Sequence, residues 1–184
     1  YSLYRCHNYH FKLYGAMFLG DSRRALEAGD EMAALLTPEL LGVDEPPMAD
    51  WLEGFVPMRL HVLIRFGMWQ HVLDTPFPDD RDLYCTTTAM LHYARTVAFA
   101  VTDRVQEATA EASLFEAARA RVPDSRYVFN NTCQDILAIA EAMLRGELEY
   151  RKGNIDEGFA HLRRAVQLDD SLPYDEPWGW ICLL

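Results

Sequence analysis

Two histidines in the stretch CHNYHF, His7 and His10, are the residues with the most chemistry to offer. Imidazoles at i and i+3 share one helix face, where they can hold one metal ion or pass protons to one substrate. His61 and Arg65 repeat the one-turn spacing, and Glu147 offers a carboxylate on another helical stretch. Two or three imidazoles with one carboxylate would suit zinc, iron or copper, so this set implies a divalent metal held by His7, His10 and His61. A second reading makes the same histidines hydrogen-bonding groups for backbone carbonyls or a bound peptide, because His7-Asn8-Tyr9-His10 lacks the glutamate of an HExxH site. The four cysteines form no CxxC pair, which predicts free thiols in a reducing, cytoplasmic setting.

The elements that must position these residues are all helical. Apolar residues recur at helical spacing throughout, and no alternating run bounded by hairpin dipeptides occurs. The pattern predicts helices over 1–19, 23–36, 51–66, 82–102 and 107–122, a short one over 68–73, and a helical hairpin over 134–170. In that hairpin Gly153 makes the corner, with Asn154 and Glu157 at capping-box spacing behind it. Asp21 and Asp103 are expected caps at two other corners. Pro57 either kinks the third helix or sets its true start near Val56, and the Gly42 and Pro46-Pro47 region reads as a loop. Trp178 and Trp180 are expected to be exposed on a further helix that begins near residue 175 and is cut short at Leu184.

Helix pairs joined at such corners resemble the tetratricopeptide repeat. Gly146 stands in the small-residue slot of a first helix, Gly153 at the turn, and Leu162 and Ala165 in the large and small slots of the second. The corners Gly20, Gly67, Asp103 and Gly153 are 47, 36 and 50 residues apart, where the family repeats at about 34. The resemblance implies one α-α superhelical array over 1–184, with units at about 1–40, 50–76, 82–123 and 134–170. It also implies that first helices line a concave face that binds a protein or peptide segment.

Counted back from the corners, that face would carry His7, His10 and Tyr14, then His61 and Arg65, then Tyr93, then Glu147 and Tyr150. The segment from Tyr174 to Trp178 would add carboxylates and an indole at the rim. His92 is expected between helices, off this face. The net charge of −11 disfavours nucleic acid and anionic lipid surfaces, and no apolar run reaches the roughly 18 residues of a membrane span. The function expected from these features is a peptide-binding scaffold rather than an enzyme. Its alternative is a small-molecule or metal-dependent enzyme using His7, His10 and His61. A third expectation is self-association through the apolar C-terminal tail.

Overall fold

The computed structural model describes residues 1–180, and these are mostly helical. The long helices are α1 (Ser2–Phe18), α2 (Ser22–Leu35), α7 (Cys85–Val101), α8 (Val105–Arg119), α9 (Cys133–Arg151) and α10 (Ile155–Asp170). Between α2 and α7 run four short ones, α3 (Pro38–Leu41), α4 (Met48–Leu52), α5 (Met58–Arg65) and α6 (Trp69–Asp74). All four expected corners carry a left-handed residue: Gly20 at φ 71°, Gly67 at 64°, Asp103 at 61° and Gly153 at 88°. A helix that ends in this conformation reverses the chain, so α1 packs on α2, α7 on α8, and α9 on α10. Helix α5 joins the α1–α2 pair to α7, and α9 packs on the other side of α7.

Local chemistry fixes the boundaries. The Asp21 side chain accepts from the Arg24 amide, and Thr132 caps α9 by accepting from the Asp135 amide. The expected capping box at Asn154 and the expected cap at Asp103 are absent. Asp103 takes the left-handed turn and leaves Arg104 as the α8 cap, while Asn154 donates its side-chain amide to Glu149 across the corner. The Asn154 side chain, drawn to Glu149, cannot also cover the helix end. Pro57 does set the start of α5, so the expected helix over 51–66 is instead α4, a 3-10 turn at Glu53–Phe55, and α5.

Helix α7 is the central element, buried almost all round from Cys85 to Ala100. Its amino end lies away from water and needs an acceptor from elsewhere in the chain. Glu53, fully buried in the 3-10 turn, provides it. Its carboxylate accepts from the Thr86 amide (3.2 Å), the Thr87 amide (2.7 Å) and the Thr87 hydroxyl (2.6 Å). Burial raises the Glu53 pKa, and the threonine hydrogen bonds and the charge of Arg126 oppose that rise. His92 faces away from this region as expected, with Nδ1 2.6 Å from Glu111 of α8.

The polar stretch after α8 forms a hairpin rather than an open loop. Tyr127–Val128 (β1) pairs antiparallel with Asn131–Thr132 (β2), leaving Phe129 and Asn130 as the turn. The hairpin rests on Gly54, where a Cβ would sit 2.5 Å from the Val128 side chain.

The segment after α10 also departs from expectation. Residues 175–180 are not helical and return across the molecule, while 181–184 lie outside the described residues. Trp180 is 2% exposed and Trp178 half-buried, because both indoles find partners within the chain. No helix among the described residues is long and apolar enough to cross a membrane.

Helices α9 and α10 cross at two glycines. A Cβ on Gly158 would stand 2.9 Å from the Tyr150 nitrogen and 3.0 Å from the Gly146 oxygen, both of them backbone. Gly158→Ala should therefore cost about 1–3 kcal/mol by forcing the helices apart. Gly15 in α1 has nothing within 4 Å of a built Cβ, so Gly15→Ala should stabilise by roughly 0.5–1 kcal/mol. Urea midpoints of the two variants, moving in opposite directions, check the pair.

Candidate functional site

Three helices and the returning tail converge on one buried cluster. Helix α1 carries His7 and His10, α5 carries His61, and α7 carries Tyr93. His10, His61 and Tyr93 are all 1% exposed or less. His10 meets Phe55 edge-on, with ring centres 5.8 Å apart. The Trp180 indole lies 4.9 Å from the His61 ring and 5.4 Å from the Tyr93 ring. The tail thus seats its tryptophan where these two helices present their inward side chains.

Polar contacts hold the tail on its course. The Asp175 carboxylate accepts from the Asn130 amide (3.1 Å) and the Asn131 side chain (3.2 Å), and the Tyr174 carbonyl accepts from Asn130 Nδ2 (3.0 Å). The Trp178 indole donates to Asp169 at 2.8 Å. Gly179 passes so close that a Cβ there would stand 2.9 Å from Ile136 of α9 and 3.0 Å from Asn131. Tyr14 of α1 is half-buried, and burial and the charge of Asp169 raise its pKa.

The expected concave set therefore divides. His10, His61 and Tyr93 do come together, but inside the packed chain rather than on an open surface. His7 is half-buried at the wall of a separate pocket of about 330 Å³, whose other side is formed by Tyr174, Asp175 and Glu176. Arg65 is exposed and does not share the burial of His61 one turn away. Glu147 faces Arg151 at 3.8 Å within α9, while Tyr150 meets Phe159 of α10 with ring centres 6.0 Å apart.

The three-imidazole metal shell is not assembled. Among the described residues no group of three or more His, Cys, Asp or Glu side chains is placed to hold an ion. Phenylalanines occupy the positions between the rings. His7 packs on Phe129 at 5.1 Å, Phe129 on Phe55 at 4.8 Å, and Phe55 on His10.

Glu53 and Arg126 carry no signal in the sequence, because each is a lone charge whose partners lie far along the chain. Arg126 is 7% exposed and lies beside the hairpin, donating to the Leu83 carbonyl at 3.3 Å and facing Asp50 at 3.6 Å. The buried thiols Cys6, Cys85 and Cys133 are unbridged, and burial raises the pKa of each. No protein-family model matches the chain, and no curated protein or solved structure shows significant similarity to it.

Burial governs both inner imidazoles. It pushes the His10 pKa down from 6.5 to about 3, helped by the charges of His61 and His7, and that of His61 down to about 4. The fold thus holds both rings neutral, while the unfolded chain protonates them near 6.5. Their contribution is whole above pH 6.5 and is lost as the pH falls from 6.5 toward 4, by up to about 1.4 kcal/mol per pH unit for each ring. Neither ring nitrogen of His10 has a hydrogen-bond partner, an arrangement that costs about 1–3 kcal/mol. His10→Leu should then be neutral or stabilising at pH 7.5 and should remove about one proton from the acid-side dependence. Urea unfolding between pH 5 and 7.5 measures both effects.

Proposed function

We propose that this chain is a tetratricopeptide-like scaffold whose first helices line a groove for an extended polypeptide segment. The observation that carries the reading is the chain's own tail. Residues 172–180 run without helix against α9, the 127–132 hairpin and the inner faces of α5 and α7, anchored by Trp180 on His61 and Tyr93. A groove that holds one extended segment by an aromatic anchor and backbone-level contacts has the features of a peptide site. The same helices, α1, α5, α7 and α9, are the first members of the successive pairs, as a superhelical array would have them.

In this reading His61 and Tyr93 recognise an indole or similar ring, and His10 supplies a neutral polar wall behind Phe55. No catalytic step is assigned to them. The tail competes with any partner segment, so partner binding requires its release. The three buried, unbridged thiols support a reducing, cytoplasmic setting for the scaffold.

A labelled peptide spanning Leu172 to Trp180 tests this directly. It should bind saturably, by fluorescence anisotropy, to a chain ending at Ser171 that retains its helical circular dichroism. Replacing the peptide's tryptophan that corresponds to Trp180 by alanine should weaken binding by about tenfold or more, as for a buried aromatic anchor. If the shortened chain does not fold, the full chain carrying Trp180→Ala takes its place. Absence of saturable binding to a folded form of either chain overturns the reading.

A further inference from the structure

We infer that the pocket between α1 and the returning tail binds an organic cation, a primary ammonium or a guanidinium group. The pocket, about 330 Å³ in volume, is walled by Tyr4 and His7 of α1, Phe129 of the hairpin turn, and Tyr174, Asp175 and Glu176 of the tail. It is distinct from the indole seat at His61 and Tyr93, and the inference does not depend on the groove reading.

The first argument is charge. Asp175 is 8% exposed and accepts from three neutral donors, the Asn130 amide, the Asn131 side chain and the Glu176 amide. Glu176 accepts from the Tyr174 hydroxyl. Among the described residues no Lys, Arg or His nitrogen lies within 4.0 Å of either carboxylate. No lysine or arginine lines the pocket. A buried carboxylate is ordinarily paired with a cation, and Asp175 has only neutral donors while the exposed Glu176 stands beside it at the pocket wall.

The second argument is the kind of wall. Tyr4 and Tyr174 are 74% and 69% exposed, with Phe129 between the two chain segments they belong to. Aromatic faces attract a cation within about 6 Å and prefer one that is weakly hydrated. An inorganic ion would need several ligands on one centre, and His7, Asp175 and Glu176 are not placed to provide them. An alkylammonium or guanidinium needs one or two carboxylates and flat rings, and both are present.

The third argument is backbone strain at the wall. Phe129 has φ 50°, a left-handed conformation that a bulky residue rarely adopts. Glycine or asparagine would relieve that strain in a two-residue turn. The ring that results is held against His7 at 5.1 Å and Phe55 at 4.8 Å, which fixes one face of the pocket.

Two sources present the same chemistry, a free amine or a lysine or arginine side chain of a peptide. Calorimetric titration of the full chain with N-acetyl-lysine methylamide and N-acetyl-arginine methylamide tests the pocket, with the norleucine analogue as the neutral control. At least one cation should bind saturably at one site, the control should not, and Glu176→Gln should weaken the cation by about tenfold. Glutamine keeps an acceptor for Tyr174, so a weakened response reports the lost charge. Failure of both cations, equal binding of norleucine, or an unchanged Glu176→Gln variant overturns the inference. A lysine-containing glycine peptide that binds about tenfold tighter than the capped amino acid identifies a side-chain ligand, and equal or weaker binding identifies free amines; either supports the cation pocket. The peptide Leu172 to Trp180 carries neither lysine nor arginine, so the groove and the pocket can each fail alone.

Discussion

The burial of one carboxylate sets the frame for the rest of the molecule. Helix α7 is surrounded by other elements, and its first amide groups are beyond the reach of solvent. An unanswered amide in such a place would cost about as much as a lost hydrogen bond. Glu53 answers two of them and the Thr87 hydroxyl at once. It can do so because Pro57 ends the helical run early and leaves the 3-10 turn free to point inward. The charge of Arg126 helps keep this carboxylate usable in spite of its burial. Arg126 also stands immediately before the hairpin that carries Phe129 and Asn130. One buried ionic cluster therefore ties the central helix to the hairpin, and through Asn130 and Asn131 to the tail.

From that frame the indole seat and the outer pocket follow as neighbours. Tyr93 is placed by α7 and receives Trp180, while Phe129 is placed by the hairpin and separates His7 from Phe55. Asp175 is common to both. Its bonds to the hairpin set the course on which Trp180 reaches the core, and its charge faces the outer pocket. The tail is thus part of the fold and part of the candidate site. Charge at the pocket and seating of the indole are coupled through a segment only six residues long.

Much of the scaffold was legible because its signals are local. Gly20, Gly67 and Gly153 mark left-handed corners by residue type alone, and Asp103 marks one through its short polar side chain. Counting back from a corner put His10, His61 and Tyr93 on one set of helix faces, and all three are buried, since helix periodicity is indifferent to what fills the space beyond. Arg65, Glu147 and Tyr150, reached by the same count, lie outside that buried cluster. Arg65 is in the last turn of a helix only eight residues long, and Glu147 and Tyr150 are claimed by Arg151 and Phe159. Glu53, Arg126 and the return of the tail had no local signal. Each depends on partners more than 30 residues away in sequence, and nothing in a single stretch encodes such pairings.

A core designed for stability alone would not place an unpartnered imidazole at position 10. Leucine would fill the space behind Phe55 without two buried nitrogens that lack hydrogen bonds. The penalty falls one helical turn from His7, where His10 packs on Phe55. A second local cost, the left-handed Phe129, packs on the same Phe55 ring. Helix pairs elsewhere in the chain show the reverse economy. Gly146 and Gly158 let α9 and α10 close to backbone contact, and Glu111 answers both His92 and Arg95. Two unfavourable local choices thus gather around Phe55, while the surrounding helices pack without them.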